Sequence, residues 1–133
     1  MQNMPRLAAP IVLAAFSLSA CATTAGQTPL ADASNVALGQ NAYSDGPIIQ
    51  PVEVLEDSRC PMNARCVWAG RVRLKMLWIR GNGETQPFEV ILGEPAPLAD
   101  GSITLESVRP DKITNIVLKP EDYRFSFRFA GGL

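Results

Sequence analysis

From Pro47 onward the hydrophobic positions recur every second residue. Val72, Leu74, Met76 and Trp78 fall on one face of a strand spanning 70–80, and Arg71, Arg73 and Lys75 fall on the other. Tyr123, Phe125, Phe127 and Phe129 alternate with Arg124, Ser126 and Arg128, a period of two that a helix cannot use. Thr85 to Leu92 sets Phe88, Val90 and Leu92 inward and Glu89 outward. Ser102 to Val108 sets Ile103 and Leu105 against Thr104 and Glu106. Ile48 to Leu55 places Val52 and Val54 opposite Glu53, with Pro51 marking an edge strand or a strand start. Ile113 to Leu118 is a further apolar run, ended by Lys119-Pro120. Gly81-Asn82-Gly83 and Asp100-Gly101 read as turns, and Gly93 to Pro97 as a loop. The pattern predicts an all-β domain: a small antiparallel β-sandwich or open barrel of six to seven strands, with no helix.

Upstream of Pro47 this alternation is absent. Residues 22–46 are small and polar, carry only Asp32 and Asp45 as charges, and scatter Leu30, Val36, Leu38 and Tyr43 without period. That composition predicts a flexible tether. Before it, Leu7 to Ala20 is an uncharged run following a lone Arg6. As a helix it would reach only about 21 Å, short of the roughly 30 Å hydrocarbon core. Pro10 weakens such a helix further. A positive start, a short apolar run and small residues at its end describe a secretory signal.

The run closes with Leu18-Ser19-Ala20-Cys21. This resembles the lipobox of bacterial lipoproteins. The resemblance implies cleavage between Ala20 and Cys21 and lipidation of Cys21. Ala22, where an Asp favours inner-membrane retention, implies the outer membrane, facing the periplasm. The implied organisation is a signal peptide over 1–20, a lipidated cysteine and tether over 21–46, and one β domain over 47–133. The membrane is then a partner through the anchor, since several acyl chains hold far better than one.

Composition narrows the chemistry. A length of 133 residues supports one domain, and a net charge of -1 gives no basic face for nucleic acid. The chain has no histidine, which removes Ser-His and Cys-His nucleophiles and His-ligated metals. Three cysteines cannot form a four-thiolate zinc site. With Cys21 acylated, Cys60 and Cys66 remain, and in an oxidising compartment they are expected as a disulfide. Their spacing is not that of a C-x-x-C redox pair. No calcium loop of EF-hand type and no phosphate-cradling glycine loop occurs, so no cofactor is expected.

The most distinctive string is Asp57-Ser58-Arg59-Cys60-Pro61-Met62-Asn63-Ala64-Arg65-Cys66-Val67-Trp68-Ala69-Gly70. Its Cys-x5-Cys-Val-Trp-Ala-Gly portion resembles a motif of small exported bacterial β-domains. That resemblance implies a fold and no activity. Read residue by residue, the string is a stapled crossover between strands. Asp57 pairs with Arg59 or caps the turn, and Gly70 admits a close backbone passage. Trp68 and Trp78 read as core, with Trp68 covering the disulfide.

Two surfaces are candidates for partner binding. One is the stapled tip Met62, Asn63 and Arg65. The other is the stripe Arg71, Arg73 and Lys75, suited to an anionic lipid or an envelope protein unless Glu89 neutralises it. The expected function is a non-catalytic binding or scaffolding module. Two alternatives stand beside it. An envelope enzyme would draw a carboxylate pair from Glu53, Glu56 and Asp57 or from Glu121 and Asp122. An inhibitor-type loop would present Arg65 or Met62. An exposed ordered loop favours binding, converging carboxylates with perturbed pKa values favour catalysis, and an open sheet edge favours self-association.

Overall fold

The computed structural model describes residues 9–10 and 31–132. The lipobox and Cys21 lie outside the described residues, as does the signal segment apart from Ala9 and Pro10. The described chain is all-β, with a single 3-10 turn at Pro120–Asp122. Strands β1 (Ala31–Asp32), β2 (Ala42–Tyr43), β3 (Ile48–Asp57), β4 (Val72–Ile79) and β5 (Thr85–Ile91) form one sheet in that order. Strands β6 (Pro95–Leu98), β7 (Gly101–Arg109) and β8 (Arg124–Gly131) form the second. All pairings are antiparallel except the two-residue contact between β1 and β2.

The period-two strands pack as their patterns require. Val72, Leu74 and Met76 of β4, Val90 of β5, Ile103 and Leu105 of β7, and Phe125 and Phe127 of β8 are buried between the sheets. Tyr123 continues the aromatic row into the core, stacked on Phe125 with ring centroids 5.7 Å apart. The β4–β5 hairpin closes at Arg80 to Glu84, where Gly83 supplies the positive φ. Gly93 also has positive φ, and its N–H reaches the Leu105 carbonyl where the chain leaves the first sheet for the second.

Four expectations differ from what is observed. First, the ordered domain begins before residue 47. Val36 exchanges two backbone hydrogen bonds with Phe125, and Phe127 donates to Ala33, so residues 33–36 cover the free edge of β8. Val36 and Ala42 are fully buried. Scattered apolar residues escape a periodicity reading because each fills one gap rather than lining a face. Second, Gly93 to Pro97 is not all loop, since Pro95 to Pro97 belong to β6. β6 is an outer strand, so the prolines need donate nothing outward, and Ala96 and Leu98 keep their donors for β7.

Third, Ile113 to Leu118 is an irregular loop rather than a strand, with Ile113, Ile116 and Val117 exposed. Fourth, β3 does not alternate. Register shifts between Pro51 and Glu53 and between Val54 and Glu56 turn Val52 to solvent while Val54 packs against the core.

The strands place two long connections at one end of the sandwich. β3 ends and β4 begins there, so the stapled crossover 58–71 projects from it. β7 ends and β8 begins there too, so the 110–123 connection lies beside it.

Candidate functional site

The stapled crossover is built from Asp57 outward. Cys60 and Cys66 form a disulfide. Asp57 receives two side-chain hydrogen bonds from Arg59, Nε to Oδ1 at 2.8 Å and Nη2 to Oδ2 at 2.9 Å, and a longer one from its backbone N–H. The side chains are only 8% and 14% exposed for Asp57 and Arg59, a buried ion pair that needs its remaining polar atoms satisfied. They are satisfied. Tyr123 Oη donates to Asp57 Oδ2 at 2.8 Å, and Arg59 donates to the carbonyls of Val108 and Pro110. Lys112 Nζ donates to the Asp57 carbonyl at 2.8 Å.

The ionisation states follow. Burial raises the Asp57 carboxyl, but the hydrogen bonds from Arg59 and Tyr123 and the Arg59 charge outweigh it, leaving its pKa below the usual value. The hydrogen bond to Asp57 raises Arg59 in turn. Burial, then the bond to the Asp57 carboxylate, pushes Tyr123 up to about 12. At neutral pH the group is therefore carboxylate, guanidinium and neutral phenol, with every partner engaged. It holds structure and offers no group poised to exchange a proton near pH 7.

The loop beyond is docked on its neighbour. Met62 N–H donates to the Lys112 carbonyl at 2.8 Å, and Asn63 Oδ1 accepts from Thr114 N–H at 2.9 Å. Gly70 closes the crossover: a Cβ there would fall onto the Ser58 carbonyl, so the close passage read from the sequence is present. Of the tip candidates, Met62 and Arg65 are exposed, and Asn63 spends its carbonyl on the neighbouring loop. Trp68 is 62% exposed and Val67 96% exposed, so Trp68 is not core. Met62, Val67 and Trp68 with Ile113, Ile116 and Val117 place six exposed apolar side chains on two adjoining loops.

The cationic stripe is not a free positive face. Arg71 Nε pairs with Glu56 at 2.8 Å, and Arg73 lies 4.0 Å from both Glu56 and Glu89. Lys75 stands opposite Glu53 on β3 and Glu89 on β5. The neutralisation by Glu89 is present, and β3 adds acids that sequence spacing alone did not align with the stripe.

A cleft of about 450 Å³ opens beside the Asp57 cluster. Val52 to Asp57 form one wall, and Leu38, Leu118, Pro120 and Tyr123 form the other. A smaller hollow of about 280 Å³ continues from Asp57 and Tyr123 past Lys112 to Ile116 and Val117. Glu53, Glu56 and Asp57 are thus brought together, while Glu121 and Asp122 sit outside the cleft on the 3-10 turn. Glu56 is committed to Arg71 and Asp57 to Arg59.

At the opposite end, Asp45 and Asp100 share a cleft of about 470 Å³ with Trp78 and Phe129. Arg80 stacks over Trp78 there at 4.5 Å. Both aspartates lie in turns far apart in sequence, and nothing in their spacing announces the meeting. Among the described residues, no three acidic or cysteine side chains converge for a metal ion.

No family model, curated protein or solved structure matches this chain.

Proposed function

We propose that this chain is a lipid-anchored periplasmic lipoprotein whose β domain acts as a non-catalytic binding module through its loop end. One observation carries the binding reading: Met62, Val67, Trp68, Ile116 and Val117 are exposed together on loops held by a disulfide and a buried ion pair. Apolar side chains clustered on a fixed support mark interaction surfaces, whereas scattered ones do not. Fixing the loops beforehand lowers the ordering cost of association. The Cys60–Cys66 disulfide is compatible with an oxidising compartment and so supports export. The outer membrane remains the expected address, through Cys21.

Enzymatic and self-association readings have weaker support. The carboxylates gathered at the cleft are engaged by arginines, apart from Glu53. The outer strands β5 and β6 carry Pro87, Pro95 and Pro97, a feature that discourages edge-to-edge pairing at those two edges.

Two measurements test the proposal. Intact mass of protein from a bacterial membrane fraction should equal residues 21–133 plus acyl chains, and the Cys21→Ala variant should lose them. An unmodified mass beginning near Ala22 overturns the anchor. A photoreactive residue at position 62 or 117 should give discrete adducts in intact cells, and one at Asn82, on the far hairpin, should not. Absence of adducts at all three positions overturns the binding module.

A further inference from the structure

We infer that the cleft beside β3 takes an extended basic peptide, which adds a strand to the open edge of β3 at residues 52–56. This rests on the binding-module reading and specifies its mode of recognition.

The cleft lies at a strand edge. Val52, Glu53, Val54, Leu55, Glu56 and Asp57 all line the cleft, so it runs along β3 past both of its bulges. The pairing agrees. β2 covers β3 only at Ile48 and Ile49, and Gly39 N–H reaches the Pro51 carbonyl. Beyond Pro51, among the described residues, no backbone hydrogen bond reaches residues 52–56 from the side away from β4. Lys112 Nζ on the Asp57 carbonyl ends the open stretch. An unpaired edge is a template for another strand.

The outer strands β5 and β6 differ from the open part of β3. β5 and β6 are interrupted by Pro87, Pro95 and Pro97, whereas β3 after Pro51 has no proline. The open stretch of five residues, about 17 Å at roughly 3.3 Å per residue, suits a peptide of about five or six residues.

The walls state the chemistry of the occupant. Leu38, Leu118, Pro120 and Tyr123 also line the cleft and would receive apolar side chains. The charged residues lining it are Glu53, Glu56 and Asp57, with no Lys or Arg among them. Asp57 and Glu56 have arginine partners, while Glu53 is exposed and, among the described residues, forms no ion pair. An occupant alternating apolar and basic residues would bury the former and set the latter against Glu53.

The test uses the full lipidated chain in detergent and a capped Lys-Val-Lys-Val-Lys-Val peptide, followed by amide NMR. Shifts should concentrate at residues 52–57 and 116–123, with slowed hydrogen exchange at the edge amides. A peptide N-methylated at alternate amides should bind at least about tenfold more weakly, because it cannot complete the ladder. The Glu-Val-Glu-Val-Glu-Val peptide should also be at least about tenfold weaker, and Glu53→Lys should narrow that difference. Equal binding of the N-methylated peptide overturns strand addition. Absence of binding overturns the peptide class. Shifts confined to Met62, Val67 and Trp68 overturn the edge site while leaving the binding module standing. Protection of residues 52–56 that grows with protein concentration assigns the edge to a second copy. Protection lost on deleting residues 22–30 assigns it to the chain's own segment. Either result overturns the proposal.

Discussion

The phenol of Tyr123 donates a 2.8 Å hydrogen bond to Oδ2 of Asp57, joining the end of β3 to the start of β8 across the two sheets. Arg59 extends the link to the end of β7 through the Val108 carbonyl. Three strand ends are therefore tied at one carboxylate, immediately beneath the stapled crossover. The arrangement explains why the crossover can hold exposed apolar residues without collapsing onto them: its base is fixed by polar bonds rather than by burial of its tip.

Removing the phenol tests this tie. Tyr123→Phe keeps the ring in the core and deletes one hydrogen bond to a charged acceptor, an expected loss of about 1.5–3 kcal/mol. Asp57→Asn leaves the Arg59 charge buried without its partner and should cost about 3–5 kcal/mol. Urea unfolding measures both. In the double variant the losses should fall short of additive, because the phenol loses its charged acceptor either way. Strict additivity would show that the two residues do not share an interaction.

The same cluster sets a pH dependence with two limbs. The Asp57 carboxyl is depressed in the fold, so its contribution is present above the unfolded value of about 3.9 and is lost as pH falls through the folded one. Tyr123 is raised to about 12 in the fold. Its contribution is full below the unfolded value of about 10 and is lost as pH climbs through the folded one. Stability from urea unfolding should therefore fall below about pH 4 and again above about pH 10. Asp57→Asn should flatten the acid limb and Tyr123→Phe the alkaline limb. In a Tyr43→Phe background, the remaining tyrosinate absorbance should rise only near pH 12.

Much of this fold was legible in the sequence because the sandwich faces repeat. Val72, Leu74 and Met76, or Phe125 and Phe127, announce themselves by spacing alone. What escaped was whatever depends on a single partner. Val36 is buried because β8 has a free edge, a fact about β8 and not about residues 30–40. The β3 bulges turn Val52 outward, and no local pattern marks a bulge without a glycine. Of the site, the disulfide is readable from the two cysteines left once Cys21 is set aside, and the Asp57–Arg59 pairing from their closeness in sequence. The alternation places Tyr123 in the core and says nothing of its hydroxyl, whose partner lies 66 residues away. Trp68 was read as core from its type, and its position on an outward loop decided otherwise.

The disulfide closes a short loop, so its removal should matter moderately. Cys60→Ser with Cys66→Ser should lower stability by about 2–3 kcal/mol in the chain-entropy account. Reductant should lower the wild type by a similar amount and leave the double variant unchanged. Equal melting of the two proteins under oxidising conditions would remove the staple from any account of stability.

Gly70 and Gly81 make a matched pair. A Cβ at Gly70 falls onto the Ser58 carbonyl, whereas at Gly81 nothing lies within 4 Å. Backbone cannot yield as a flexible side chain can, and Ser58 is itself bonded to Arg71 by its N–H. Gly70→Ala should therefore cost several kcal/mol, on the order of the worst point substitutions, and Gly81→Ala should stay within about 0.5 kcal/mol. Comparable losses for both would mean that the 58–70 passage is not closed in solution.

Trp68 separates stability from binding. With 62% of its surface exposed, it contributes little to the core, so Trp68→Ala should change unfolding free energy by no more than about 0.5 kcal/mol. Phe125→Ala, at a fully buried ring, should cost about 3–5 kcal/mol by the same measurement. If the loop end is the binding surface, Trp68→Ala should nonetheless abolish or sharply weaken the adducts formed from position 62, because large aromatic side chains dominate interface energetics. A destabilised Trp68→Ala would return the ring to a structural role. An unperturbed variant that still forms every adduct would show that the partner contacts the stapled tip without drawing on Trp68.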